Sequence, residues 1–449
     1  MEPRKNHPVL IIGAGVGGLS IGTLLVNDGF KIRVFEKSSK LGGRTASTKF
    51  KNHVLDNGFH IKPFYKKSAI YDVFKTADII SKLKLAIVDD IAFFDGEFHR
   101  YPKGIGDILK MSLIPLKSRL SLLKILLPMA FTSMEKAEHL DQTPLTEVTK
   151  KLDHHSKTFF DAVCMLAFAD TTDHISLGEF ARTIIRANPF KGGTSEFAYP
   201  DMGGYDQISK VMGEYIKENN CTIDVNTTIE KILVKDSHVT GVLLSDGNIV
   251  ESNCVIVSYP AYHALNQLFD RGVFDDNFIK HVNRLNKTTS VVEVHFALSK
   301  QIDSRQVVFP VGENYTSKGI FFISNITPSV SPKDEHLIIV GTPVKPEETD
   351  SPTRIKEIVC NMKKELSEIY PDFEDVLLWE RPMAWKLVEA VVKEPGLVWK
   401  NKMPHSVPQV KGLFFVGDST ISYGIGTDSA SHSAILAHPE IVKFLKISN

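Results

Sequence analysis

Val9-Leu10-Ile11-Ile12-Gly13-Ala14-Gly15-Val16-Gly17-Gly18, close to the start of the chain, is four apolar residues followed at once by a glycine-rich turn. Four apolar residues are too few for a helix and suit a parallel strand buried on both faces. Gly13, Gly15 and Gly18 satisfy the spacing GxGxxG, with Ala14 and Gly17 inside the same turn. A helical stretch containing Leu19, Ile21, Leu24 and Leu25 follows and stops near Asn27-Asp28-Gly29, as a glycine C-cap would stop it. Phe30 to Phe35 alternates like a second strand, and Glu36 and Lys37 stand at its end.

Each part has a physical task. Gly13 permits the tight turn, Gly15 lets the backbone approach a pyrophosphate, and Gly18 lets helix and strand pack closely. The helix N-terminus offers unpaired N–H groups to phosphates. Glu36 accepts from an adenosine ribose and favours a free 2′-hydroxyl. The turn sits between two strands with an acid at the expected distance, so a dinucleotide-binding Rossmann-like unit is expected.

Downstream, Lys37 to Lys40 leads into Leu41-Gly42-Gly43-Arg44-Thr45, and then into Asp56-Asn57-Gly58-Phe59-His60, read as a short strand. Near the other end, the apolar run Leu413 to Val416 meets Gly417-Asp418-Ser419-Thr420 and then Tyr423-Gly424-Ile425-Gly426-Thr427-Asp428. A helix is expected from Ser429 to Ala437, halted by Pro439. On these motifs the chain resembles the flavin amine oxidase and phytoene desaturase superfamily. The resemblance implies an α/β fold of the amine-oxidase type: a Rossmann-like FAD-binding domain with a discontinuous α+β substrate domain over the flavin. It implies that Gly42, Gly43 and Arg44 lie along FAD and that Asp418 holds its ribityl–pyrophosphate region. The final helix would aim its N-terminus at the flavin, where its dipole stabilises a reduced, anionic ring. Thr427 falls at that helix start and Ile229 where family members contact adenine. Both ends of the chain must then meet around one molecule.

A length of 449 residues makes two domains the natural expectation. FAD-binding segments are expected at 1–60, 201–260 and 406–449, with the substrate domain from 61–200 and 261–405. In the first group a helix from Tyr205 to Asn219 precedes short strands and an Asp246-Gly247 hairpin. The first insert reads as mainly helical with a hairpin at Asp95-Gly96. The second mixes strands such as Ser290 to Leu298 with a helix near Ile355 to Ile369.

Basic and acidic side chains cancel at 53 each, leaving no field to draw in nucleic acid. Cys164, Cys221, Cys254 and Cys360 form no CxxC pair, which argues against a zinc site or a disulfide framework and fits a reducing, cytoplasmic setting. Met1 to Pro8 is short and polar and runs straight into a strand, so no signal peptide is expected. Ile105 to Met134 is rich in Leu, Ile and Met but broken by cations and by Pro115 and Pro128. It reads first as helices over a substrate cavity, and second as a peripheral membrane contact.

Within the superfamily, no cysteine near the closing motif could tether the cofactor, so FAD is expected to be non-covalent. Glu293 falls where amine oxidases place a lysine beside the flavin, and Thr427 where they carry an aromatic cage member. Asn188 to Gly204 and the apolar 105–131 stretch resemble the phytoene desaturase branch, whereas Asp418 is larger than many desaturases carry there. The resemblance therefore implies a desaturase, dehydrogenase or saturase passing hydride between FAD and a small hydrophobic, isoprenoid- or carotenoid-like substrate. The alternative is a flavin amine oxidase or a protoporphyrinogen oxidase-like enzyme. A non-enzymatic scaffold is disfavoured by two cofactor motifs. No metal is expected, no catalytic residue stands out, and Tyr423 is the aromatic expected nearest the isoalloxazine.

Overall fold

A computed structural model describes residues 7–58, 65–187 and 196–448. Val9–Ile12 forms the expected strand, central in a parallel five-stranded sheet. The order is Leu413–Phe415, Val255–Val257, Val9–Ile12, Ile32–Phe35, Thr222–Asp224. Every pairing in it is parallel, which explains why its strands are short unbroken apolar runs rather than alternating ones. The helix Val16–Asn27 leaves the glycine turn and is buried from Val16 to Val26.

The last helix, Gly426–Ser448, packs against Val16–Asn27, and Ser20 and Ser431 share a hydrogen bond of 3.1 Å across that contact. It runs well beyond the stop expected at Pro439, which lies inside it. Proline costs an interior helix about 3 kcal/mol. Ile441 and Leu445 beyond it are buried in the main core, and Phe444 packs edge-on against Phe414. Tertiary burial outweighs the local penalty.

The other segments form a seven-stranded sheet in the order Leu377–Glu389, Thr289–Leu298, His336–Val344, Gly319–Phe321, Val307–Pro310, Ile91–Phe94, Phe98–Arg100. The hairpin turning at Asp95-Gly96 thus joins a sheet built from the second insert, through a parallel pairing of Ile91–Phe94 with Val307–Pro310. Thr289–Leu298 is buried along its whole length. Val292, Val294, Phe296 and Leu298 face Ile358, Met362 and Leu366 of the helix Pro352–Ile369. Val291, Glu293 and His295 turn to the opposite face, the one toward the interior.

The strand His53–Asp56 ends at Asp56, short of the five-residue strand expected there, because Gly58 turns at φ +93°. Phe59 and His60 lie outside the described residues, as does 188–195 of the desaturase-like stretch. The Ile105 to Met134 region is the helices Ile105–Lys110 and Leu116–Ala130, with Met134 opening a third. No helix among the described residues is long and apolar enough to cross a membrane.

Candidate active site

The glycine turn shows why it is built from glycine. Gly13 adopts φ +98°, and a Cβ there would stand 2.6 Å from the Ser258 carbonyl oxygen. A Cβ at Gly18 would stand 2.0 Å from the Gly13 carbonyl oxygen, so nothing larger fits where helix meets strand. A Cβ at Gly15 would meet no heavy atom within 4 Å; that backbone borders open space. Gly17 faces the other end of the chain: its Cβ would lie 3.2 Å from the Gly417 Cα. The turns at Gly13 and Gly417 therefore meet.

They meet on a cavity of about 860 Å³. Gly13, Gly15, Gly17, Glu36, Lys37, Gly42, Gly43, Arg44, Ile229, Gly417, Asp418 and Thr427 all line it. Ala14 and Gly18 do not. The Ala14 N–H donates to Glu36 and its carbonyl accepts from Gly42, so Ala14 braces the turn from behind. Tyr423 is also absent from the wall; it packs on His432 at 3.8 Å between ring centroids, beneath Arg186. Tyr205 lines the cavity instead, its hydroxyl 3.3 Å from Thr427 Oγ1.

The buried Glu36 carboxylate is fixed by the Ala14 N–H at 2.8 Å and the Ser38 N–H at 2.9 Å. Capture by two backbone donors leaves its other lone pairs free to accept from a ligand. Farther along, Arg44 forks onto Asp418 with two contacts of 2.7 Å and donates to the Val388 carbonyl at 2.8 Å. Asp418 also accepts the Ala390 N–H at 2.8 Å. Burial alone would raise the Asp418 pKa, but the Arg44 charge and these hydrogen bonds outweigh it and hold the carboxyl below its usual range. Burial likewise works against the Arg44 charge, and Asp418 reverses that too. A bidentate pair at this spot holds a guanidinium against the cavity with one orientation.

Below, the buried Lys402 Nζ donates to the Asp418 carbonyl at 2.9 Å and to Ser422 Oγ at 2.8 Å, fastening the loop that carries Asp418. Burial, and then Lys393, bring its pKa down to about 7. Glu389 accepts the Gly426 N–H at 2.6 Å, where the last helix begins. Neither Lys402 nor Glu389 belongs to a sequence motif, and neither is legible without the fold.

A second region of the cavity wall comes from the inserts: Met165, Leu166, Phe168, Phe309 and Phe321. Leu166, Phe168 and Ile425 also line an adjoining apolar cavity of about 160 Å³, walled by Tyr101, Phe159, Phe180 and Phe197 among others. Ile108 and Leu126 of the Ile105–Met134 region reach that second space. Among the described residues, no group of His, Cys, Asp and Glu could hold a metal ion, and none of the four cysteines lines the large cavity.

A two-ended dinucleotide cradle joined to an apolar chamber defines a class: an oxidoreductase that carries its redox chemistry on FAD. The family model for flavin containing amine oxidoreductases matches residues 16–438, and the chain belongs to that family. Among curated relatives, a 4,4'-diapophytoene desaturase of Methylomonas is 22% identical over 72% of this chain and 68% of its own length. A 15-cis-phytoene desaturase of Solanum lycopersicum is 23% identical over 93% of this chain and 74% of its own. Among solved structures, an oxidoreductase of Methanosarcina mazei superposes with a TM-score of 0.77 at 18% identity, covering 96% of this chain and 99% of that one. A putrescine oxidase bound to putrescine gives 0.70 at 14% identity, covering 99% of each chain. At such identities the solved structures establish the shared fold.

Proposed function

We propose that this enzyme is a desaturase, dehydrogenase or saturase of long, hydrophobic isoprenoid- or carotenoid-like molecules. The observation that carries the proposal is the pair of adjoining apolar chambers beside the cradle, walled by Phe159, Phe168, Phe180, Phe309 and Phe321. An elongated apolar chain gains by transferring its surface from water into such walls. The desaturase relatives point the same way.

In this reading, residues 1–60, 201–260 and 406–449 hold FAD, while 61–200 and 261–405 receive the substrate. Gly13, Gly15 and Gly17 present backbone to the pyrophosphate, Glu36 accepts from the ribose, and Lys37 and Ile229 border the adenine. Gly42, Gly43 and Arg44 follow the cofactor toward Asp418 and Thr427 at the last helix. Binding is non-covalent, consistent with a cavity wall free of cysteine. When bound, FAD supplies hydride acceptance or donation. Asp418 keeps Arg44 pointed at the cofactor, Lys402 keeps the Asp418 loop in place, and the phenylalanine walls exclude water from the reacting carbon chain.

We further assign a membrane-surface contact to the helices Ile105–Lys110 and Leu116–Ala130. Leu116, Leu120, Leu127 and Phe131 recur at helical spacing on one exposed stripe, joined by the exposed Leu109 and flanked by exposed Lys110, Lys117 and Lys124. An apolar stripe edged with cations matches a bilayer interface.

Anaerobic spectroscopy tests the substrate class. Phytoene-type polyenes should bleach the oxidised flavin band, or reoxidise the chemically reduced one, while polyamines do neither. Reduction by amines with none by polyenes would overturn the reading.

A further inference from the structure

Between Met165 and Ala169 and between Val291 and Pro343, the described residues lining the large cavity are apolar with a single exception, Lys318. Its ammonium donates to the Gly312 carbonyl at 3.0 Å and makes no ion pair among the described residues. Of the three carboxylates whose charge reaches it, the exposed Glu313 makes no ion pair with it and the other two are otherwise engaged. Glu365 takes the Thr316 and Ser317 N–H groups, and Asp161 takes Thr172 and Lys157. Lys318 is half-buried, and burial lowers its pKa against the pull of Glu365, Glu313 and Asp161. An ammonium has three donors, and one is used. Removing a cation partly from water without pairing it is unfavourable, and a cavity meant only for hydrocarbon gains nothing from it.

We propose that Lys318 is the head-group site of the substrate chamber, and that the substrate is an isoprenoid chain ending in a carboxylate. The carboxylate pairs with the Lys318 ammonium while the chain lies along Met165, Leu166, Phe168 and Phe321. This inference rests on the isoprenoid reading above and narrows it: a pure hydrocarbon leaves Lys318 unpaired, whereas an acid supplies the missing partner. It also gives the chain one direction of entry, since only one end of the substrate is charged.

The test uses the yellow FAD-loaded protein and follows the flavin's visible absorbance during titration with geranylgeranoic acid or geranylgeraniol. The acid should bind about ten-fold or more tightly than the alcohol, the range of a charge-assisted hydrogen bond. Lys318→Gln keeps an N–H donor for Gly312 but removes the charge; it should bring the acid down to the alcohol's affinity. Lys318→Arg should retain the preference. Equal affinities in the unaltered protein, or an undiminished preference in Lys318→Gln, would show that Lys318 is only a strut for Gly312 and would overturn the inference while leaving the isoprenoid reading intact. If neither compound perturbs the flavin, the isoprenoid reading falls, and this inference with it.

Discussion

Glu293 sits in the middle of Thr289–Leu298 with no exposed surface. Its Oε1 accepts from Trp385 Nε1 at 2.7 Å and from the Gly58 N–H at 3.0 Å, while Oε2 is buried with no partner. Burial pushes its pKa up to about 8. A carboxyl whose pKa is higher folded than unfolded binds its proton more tightly in the native state. Its contribution to stability is therefore complete below the ordinary carboxyl range and is lost as pH rises through about 8. The loss is on the order of a few kcal/mol. Thermal melts across this window should show stability falling with pH, and Glu293→Gln should flatten the slope. Asp418 has the opposite sign: its lowered pKa contributes stability that is lost only as pH falls. Glu36 and Asp418 also carry the cofactor prediction. Glu36→Ala frees the Ala14 and Ser38 N–H groups, and Asp418→Ala releases Arg44 from its fork. Each should lower the ratio of flavin to protein absorbance in purified material. Full occupancy in both variants would remove these residues from the cofactor assignment.

Elements are legible where local chemistry and tertiary demand agree. The strand, turn and helix from Val9 to Asn27 can be read because only glycine fits at Gly13 and Gly18, so steric necessity is written in the residue type. Pro439 misleads because the burial of Ile441 and Leu445 beyond it overrides the local preference for a break. The stretch from Ile105 to Met134 is ambiguous for a different reason. Its sequence carries two apolar faces, and composition alone does not separate them. In the fold, Leu122 and Leu126 of Leu116–Ala130 turn inward while Leu116, Leu120 and Leu127 turn out. One helix thus both walls the second cavity and offers the exposed stripe, so the two sequence readings are compatible. Flotation with anionic vesicles checks the outer face. Leu120→Glu with Phe131→Glu should abolish co-flotation without lowering flavin content, because neither side chain lines either cavity. Unchanged flotation would reject the membrane assignment.

At the scale of the whole molecule, the meeting of the two chain ends is readable from paired motifs, whereas the chamber walls are not. Met165, Phe309, Lys318 and Phe321 belong to no motif; the pairing of Ile91–Phe94 with Val307–Pro310 contributes Phe309 to the wall and runs beside the strand that carries Phe321. Such long-range register leaves no trace in local periodicity. The same geometry makes a demand on the cofactor. The strand Val255–Val257 lies between Val9–Ile12 and Leu413–Phe415, and a Cβ at Gly17 would meet Gly417, so a molecule filling the cradle binds segments far apart in sequence as one unit. A ligand that binds only the folded state stabilises it by about 2.7 kcal/mol at a hundred-fold excess over its Kd. That stabilisation should be shared by both ends. Hydrogen exchange on apoprotein reconstituted with FAD should therefore slow in Val9–Gly18 and in Gly412–Thr427 together, with matched dependence on FAD concentration. Protection confined to the N-terminal turn would mean that the Gly417 turn does not help hold the cofactor, and the two-ended cradle would reduce to a single Rossmann-like site.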